Sequence, residues 1–252
     1  MTGISPELVS LTPPPELAHA HGGEEFGRIG AKWAETLRVV GGLKPTDHVL
    51  DVGCGAGRMA LGIARYLDPA GRYEGFDISR DDIAWCKREI EPRWPGAHFQ
   101  HVDVRNGYYN PAGSVSPEEF SFPFEDERFD FVYLTSVFTH MRPAAVSRYL
   151  SEVARVLRPR GRSLITWFLL NEEARAGIAE GTPLFTFRTE VEPGFWADRA
   201  ETLEKAVAYD EALARSAYER AGLSIREPIV QGSWSGTVSS RHAQDIVVAS
   251  KP

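Results

Sequence analysis

The 252-residue chain has 42% hydrophobic and 25% charged residues, which is typical of a globular protein with one large α/β domain or two smaller ones. Its formal net charge of -7 and the lack of a long basic run argue against a nucleic acid as its main partner. No apolar stretch reaches the length of a membrane span, the N-terminus lacks a signal-peptide pattern, and two widely spaced cysteines suit a reduced compartment, so we expect a cytoplasmic protein without a membrane partner.

The first 44 residues predict an arm or a broken helix, followed by one longer helix. Residues 1–23 are rich in proline and end in a glycine pair, a composition that does not favour a packed element. Over residues 24–40 the apolar side chains recur at helical spacing, and a second glycine pair ends the pattern.

The stretch 49–58 predicts a strand, a tight turn and a helix in immediate succession. A short apolar run is followed by Gly53, Gly55 and Gly57, and an amphipathic helical pattern begins directly after them. Glycines allow a positive φ and let a ligand approach the backbone closely. The free N–H groups of the following helix would face that ligand, so this turn predicts a small-molecule site at the carboxyl end of a strand.

The rest of the chain continues the alternation of strands and helices. The predicted strands are 48–52, 72–78, 98–102, 129–134 and 162–170, with a closing pair at 223–234 and 244–250. The predicted helices are about 58–67, 79–90 (capped by Ser79 or Asp81), 143–157, 171–181 and 210–221, and segments 68–71 and 158–161 are predicted to be a loop and a turn. This order predicts a doubly wound, mostly parallel seven-stranded α/β sheet with an antiparallel C-terminal strand pair at one edge.

Two segments exceed the length of routine connections. Residues 104–128 and 182–208 have mixed composition and many aromatic side chains, and long ordered loops are often functional. We therefore expect a domain of residues 45–252 with insertions at these two places, and we expect residues 1–44 to cover its site.

Three acidic residues follow one another at equal intervals of 26 residues: Asp51, Asp77 and Asp103. Each lies near the carboxyl end of a predicted strand, and neighbouring parallel strands would bring these ends to one crevice. A carboxylate after the second strand can accept both hydrogens of a ribose diol. A helix cap or turn role is the alternative for Asp77, but capping does not explain the three acids together.

These features resemble a class I S-adenosylmethionine-dependent methyltransferase. The resemblance rests on residues 49–58 with Asp77 and Asp103, and on the stretches 129–141 and 152–165. It extends over roughly residues 45–170 and the C-terminal strand pair, and it implies a Rossmann-like methyltransferase fold with S-adenosyl-L-methionine as cofactor. The resemblance implies that the cofactor is bound at the turn by Asp51, Gly53, Cys54, Gly55 and Arg58. It implies that Asp77 binds the ribose and that Ile78, Asp103 and Val104 contact the adenine. Thr135 would lie near the transferred methyl.

A nicotinamide-dependent dehydrogenase is the main alternative for the glycine turn. Its pattern, Gly-x-Gly-x-x-Gly, places the pyrophosphate at the helix N-terminus. In this chain Arg58 occupies the place of the third glycine, and no Tyr-x-x-x-Lys pair is evident. The turn therefore favours the sulfonium cofactor.

The acceptor is predicted to be a small organic molecule, methylated on a hydroxyl oxygen of a metabolite or sugar. A sulfonium already activates its methyl, so a general base is needed only for a weakly acidic acceptor, and His140 is the candidate, although a structural role is the alternative. The predicted walls of the acceptor site are Phe26, Tyr108, Tyr109, Phe138 and Trp196, with His140 and Phe195 as further candidates.

No metal-ligand spacing is present, so we expect no metal, and we expect a monomer or a homodimer. An alternative function is a protein that binds S-adenosylmethionine or S-adenosylhomocysteine without transfer and acts through a partner. The two functions differ in turnover, while both require cofactor binding.

Overall fold

The computed structural model describes residues 6–68, 71–237 and 239–252. They form two compact units. The first unit comprises Met1–Asp103 and Arg128–Tyr133, and the second comprises Val104–Glu127 and Leu134–Pro252. Residues 1–5 of the predicted arm and residues 69–70 of the predicted loop lie outside the described residues.

The described part of the chain contains short and long helices connected by strands and turns. The α-helices are α1 (Pro6–Val9), α2 (Pro15–Ala18), α3 (Phe26–Val39), α4 (Arg58–Ile63), α5 (Arg80–Glu89), α6 (Pro143–Val156), α7 (Glu172–Glu180) and α8 (Glu211–Arg220). The strands are β1 (His48–Val52), β2 (Arg72–Asp77), β3 (Ala97–His101), β4 (Phe129–Leu134), β5 (Leu157–Trp167), β6 (Leu169–Leu170), β7 (Thr189–Glu192), β8 (Phe195–Ala197), β9 (Val207–Asp210), β10 (Ser224–Ile225) and β11 (Asp245–Ser250). Short 3₁₀ turns occupy His19–His21, Gly23–Glu25, Glu91–Arg93, Phe138–His140 and Ala200–Lys205.

The main sheet has seven strands in the order β10-β11-β5-β4-β1-β2-β3. β1, β2 and β3 pair in parallel, whereas β11 is antiparallel to both β5 and β10. This confirms the predicted fold class and the antiparallel strand pair at one edge. None of the helices in the described ranges is long and apolar enough to cross a bilayer.

The first unit brings three strand ends to the same edge. β1 is in register with β2 so that Asp51 lies opposite Gly75, and β2 is in register with β3 so that Asp77 lies opposite His101. Because parallel strands end on the same side, the glycine turn, Asp77 and Asp103 all follow the carboxyl ends of neighbouring strands. The equal spacing of the three acids in the sequence reflects this arrangement.

The predicted turn at 158–161 was wrong, because β5 already begins at Leu157. The backbone N–H of Arg160 donates to the carbonyl of Lys251 over 3.0 Å, and the N–H of Lys251 donates to the carbonyl of Gly161 over 3.0 Å. Residues 158–161 have the composition of a turn, but their backbone pairs with the end of the chain and continues the strand. Arg160 adopts a φ of 64° within this strand. The predicted strand 162–170 also divides, since β5 ends at Trp167 and residues 169–170 form β6.

The segment 182–208 contributes most of a second sheet, with the order β6-β9-β8-β7. Its strands are short, and their backbone is paired antiparallel from β7 through β8 to β9. A core of Phe168, Phe187 and Trp234 packs inside the second unit, with Phe168 and Trp234 ring centroids 5.4 Å apart. The aromatic residues of this segment are therefore largely structural, which the mixed composition had not indicated.

Candidate functional site

The glycine turn after β1 adopts the left-handed backbone that its sequence predicted. Gly53, Gly55 and Gly57 have φ values of 80°, 50° and 73°. The N–H groups of Gly53 and Cys54 both donate to the carbonyl of Phe76, over 2.9 and 3.1 Å. The turn is thereby fixed to the end of β2, beside Asp77.

Two of these glycines make room for protein side chains rather than for a ligand. A Cβ on Gly57 would lie 2.5 Å from Cδ1 of Ile90 and 3.2 Å from Sγ of Cys86, so α5 packs directly on the turn. A Cβ on Gly55 would lie 2.5 Å from Cε1 of His21. The glycine pattern thus serves helix packing at Gly57 and contact with the N-terminal segment at Gly55.

Asp51 is fully buried behind the turn and is held by two tyrosine hydroxyls. Tyr73 and Tyr133 donate to its Oδ2 over 2.7 and 2.8 Å, while Oδ1 has no hydrogen-bond partner among the described residues. Burial raises the pKa of Asp51 to about 7, although both hydroxyl donors act to lower it, and nearby Asp77 adds to the rise. This orphaned acceptor fits a cofactor that carries positive charge.

Asp77 ends β2 and binds the glycine turn. Its Oδ2 accepts from the N–H of Gly55 over 2.7 Å, and its Oδ1 accepts from the N–H of Ser79 over 2.8 Å. The side chain of Ser79, and not that of Asp81, caps α5 by accepting from the N–H of Asp82 over 3.4 Å. Burial raises the pKa of Asp77, with the two backbone donors acting against the rise. Each carboxylate oxygen retains a further lone pair for a ribose hydroxyl.

The remaining predicted cofactor residues fall at the expected strand ends but in two different units. Ile78 is half-buried and Asp103 is exposed, both in the first unit, whereas Val104 and Thr135 belong to the second.

Two predicted residues of the glycine turn, Cys54 and Arg58, face other parts of the protein. Burial raises the pKa of the Cys54 thiol, so this side chain acts as a small apolar group. The Nη1 of Arg58 donates to the carbonyl of His21 over 2.7 Å, which directs the guanidinium toward the N-terminal segment.

Sequence reasoning missed four residues of the first unit: His21, Tyr73, Asp82 and Tyr133. Tyr73 alternates with Gly75 and Asp77 along β2, and Tyr133 is a hydroxyl-bearing side chain in β4, which is apolar apart from Asp130. A polar atom in such a buried strand needs a hydrogen-bond partner, and that requirement was the available signal. For His21 the signal was a histidine placed directly before a glycine pair.

Replacement of Asp51 by Asn is expected to remove a pH-dependent loss of stability. The native pKa lies above the ordinary value of 3.8, so the stabilising contribution of the neutral acid is complete below about pH 4 and is lost as the pH rises through about 7. Between pH 5 and pH 8 the free energy of unfolding of the wild-type chain should fall by about 2–3 kcal/mol relative to that of Asp51→Asn. Urea unfolding of both proteins at the two pH values measures this difference, and parallel pH profiles would contradict it.

In the second unit, His140 lies at the centre of a polar and aromatic cluster. Its Nδ1 donates to the carbonyl of Glu204 over 3.2 Å, and the ring of Tyr109 meets it edge-on with centroids 5.1 Å apart. A carbonyl can only accept, so the proton of the neutral ring lies on Nδ1 and Nε2 carries the lone pair. Burial lowers the pKa of His140 below its usual value, with the carbonyls of Glu204 and Lys205 acting against this.

Glu204 links this cluster to the long 104–128 segment. Its Oε2 accepts from the N–H of Gly107, and its Oε1 lies 3.4 Å from Nε of Arg142. The side chain of Asn106 donates to the carbonyl of His140 over 3.0 Å. The two insertions predicted from the sequence therefore hold His140 from both sides.

Tyr108 and Tyr109 border a cavity of about 320 Å³ in the second unit, and both are substantially exposed. Nζ of Lys205 lies 5.8 Å from the centroid of the Tyr108 ring. The other lining residues are Leu184, Phe185, Asp198, Arg199, Thr202 and Ala206. This mixture of aromatic, apolar and charged groups suits a small organic ligand with polar substituents.

The other predicted acceptor residues do not line this cavity. Phe26 and Phe138 are buried, and Phe138 packs on Trp167 with ring centroids 4.8 Å apart. Phe195 is fully buried against Tyr209. The Nε1–H of Trp196 donates to Oδ1 of Asp210 over 3.0 Å, and Cζ of Arg175 lies 4.9 Å from the centroid of the Trp196 ring. His140 does not line the cavity either, so Tyr108 and Tyr109 are the predicted wall residues that border it.

Within the described ranges no group of three or more His, Cys, Asp or Glu side chains is arranged to hold a metal ion. Cys54 and Cys86 are free, buried thiols.

Comparison with known proteins supports the sequence resemblance. Residues 49–161 match the family described as "Methyltransferase domain". Over 139 residues the chain is 39% identical to phthiotriol/phenolphthiotriol dimycocerosates methyltransferase 1 of Mycobacterium ulcerans, covering 54% of this chain and 44% of that protein. Over 136 residues it is 29% identical to 2-phytyl-1,4-naphtoquinone methyltransferase of Trichormus variabilis, covering 54% of this chain and 53% of that protein.

The fold is also found among solved structures. A SAM-dependent methyltransferase of Methanosarcina mazei superimposes with a TM-score of 0.55 at 22% identity, covering 84% of this chain and 96% of that chain. At this identity the likeness concerns the fold alone. The matches to the two curated relatives span about half of their length.

Proposed function

We propose that the chain is a class I S-adenosylmethionine-dependent methyltransferase, and that it transfers the methyl group of S-adenosyl-L-methionine to a hydroxyl oxygen of a small organic acceptor. When bound, this cofactor supplies an electrophilic methyl group on a sulfonium. The chain then has to hold the cofactor, orient the acceptor oxygen and exclude water.

The observation that carries the proposal is the arrangement of Asp77 at the end of β2. This carboxylate is bound to the N–H of Gly55 at 2.7 Å and is half-buried at the edge where neighbouring strands end. In this proposal Asp77 accepts from the ribose hydroxyls, and Ile78 packs against the adenine. The unpaired Oδ1 of Asp51 attracts the positive charge of the methionine end.

For the acceptor we propose the cavity bordered by Tyr108 and Tyr109. Its charged residues would orient polar substituents, and its aromatic rings would enclose an apolar body. The two curated relatives are named for phthiotriol or phenolphthiotriol dimycocerosates and for 2-phytyl-1,4-naphtoquinone, which are small molecules. These names support a small-molecule acceptor for this chain.

His140 does not line this cavity, but its ring meets that of Tyr109, which does, with centroids 5.1 Å apart. We propose that His140 accepts the proton of the acceptor hydroxyl. The hydrogen bond from Nδ1 to the carbonyl of Glu204 leaves the Nε2 lone pair as the basic atom. Burial lowers the pKa of His140, so the ring is neutral at pH 7 and can act as a general base.

Calorimetry with S-adenosylhomocysteine tests cofactor binding, and a panel of phenols, hydroquinones, polyols and sugars tests transfer through the release of S-adenosylhomocysteine. We expect binding, and turnover on at least one class of the panel. An absence of heat up to high micromolar ligand would contradict the whole proposal. Binding without any turnover would instead support a protein that binds the cofactor and acts through a partner.

A further inference from the structure

The N-terminal segment of the first unit lies on the glycine turn. Residues 15–25, which we call the cover segment, comprise α2 and two 3₁₀ turns and lead directly into α3. The carbonyl of His21 accepts from Nη1 of Arg58 over 2.7 Å, which anchors the backbone of this segment at the start of α4. Gly22 adopts a φ of 100°, and this left-handed residue reverses the chain after His21.

The imidazole of His21 bridges the turn after β1 and the helix after β2. Its Cε1, Nδ1 and Nε2 would lie 2.5, 3.0 and 3.2 Å from a Cβ at Gly55, so the ring touches the backbone of the turn. Its Nε2 lies 2.9 Å from Oδ2 of Asp82, in the first turn of α5. The exposed fractions of the two side chains are only 21% and 8%.

The same peptide that His21 covers also binds the proposed ribose carboxylate. The N–H of Gly55 donates to Oδ2 of Asp77, so Gly55 is held by the carboxylate and packed by the imidazole. Asp77 and Ile78 are half-buried beside this contact. The cover segment therefore lies on the peptide that binds the proposed ribose carboxylate.

We propose that His21 is a positioning residue of the cofactor site. Through its ring, the cover segment closes on the glycine turn and slows the release of the cofactor. This inference rests on the proposed function, because it requires that the chain binds S-adenosylmethionine and its product. Asp82 acts with His21 by fixing the orientation of the imidazole.

The test is the rate of S-adenosylhomocysteine release from the full chain, measured by surface plasmon resonance. We expect His21→Ala to raise koff about tenfold with little change in kon, since contacts formed after encounter act mainly on dissociation. Asp82→Ala should change koff in the same direction. His21→Gln, which retains an N–H donor but lacks the ring, should have an intermediate koff.

The matched controls are His19→Ala and Asp81→Ala, which remove exposed side chains from the same two elements. Both should keep the wild-type koff, and unfolding midpoints verify that each variant is folded. If the wild-type chain binds and His21→Ala releases at the wild-type rate or more slowly, the inference on His21 is overturned while the proposed function stands. If the wild-type chain does not bind, both are overturned.

Discussion

His140→Ala is expected to lower kcat by about 10²–10⁴-fold on the acceptor found by the screen, because the hydroxyl would lose its proton acceptor. The residue is held by a hydrogen bond to the carbonyl of Glu204 and by the edge of the Tyr109 ring. Since the base must be neutral and burial lowers the pKa of His140, wild-type kcat should be flat near pH 7 and should fall only at lower pH. In His140→Ala this fall at acidic pH should disappear.

Two measurements distinguish this role from a structural one. The affinity of His140→Ala for S-adenosylhomocysteine should equal that of the wild-type chain, and His98→Ala, which removes an exposed histidine from β3, should keep full turnover. Full turnover by folded His140→Ala would show that the acceptor loses its proton elsewhere.

Asp77→Ala is expected to weaken S-adenosylhomocysteine binding by about 1–3 kcal/mol, or roughly 5- to 150-fold, through loss of charge-assisted hydrogen bonds to the ribose. The substitution also frees the N–H groups of Gly55 and Ser79, which both donate to this carboxylate. Asp77→Asn should bind with intermediate affinity, since one amide oxygen can still accept.

Titration calorimetry measures these affinities, with Asp81→Ala as the matched control. Asp81 is an exposed acid in the first turn of α5, so its removal changes the net charge equally without touching the turn. Equal affinities of Asp77→Ala and the wild-type chain would remove Asp77 from the cofactor site.

The sequence by itself determined the fold class and the backbone of the glycine turn. β1 and β4 have the predicted limits, and the three glycines have the positive φ that their spacing required. These features are local: a buried parallel strand has to be apolar, and a tight turn into a helix needs residues without a Cβ. The resemblance to methyltransferases and the proposed role of Asp77 rest on these features.

Only the tertiary structure decided which groups meet across the sequence. Asp51 accepts hydrogen bonds from the hydroxyls of Tyr73 and Tyr133, which lie 22 and 82 residues away along the chain. The ring of His21 packs on Gly55. The turn-like segment 158–161 became part of β5 because its backbone pairs with the end of the chain. The strand-turn-helix pattern at 49–58 predicts a small-molecule site at the turn. The side chains that shift the pKa of Asp51 and pack on Gly55 come from distant segments of the chain. Their contacts depend on tertiary packing, which no local sequence pattern encodes.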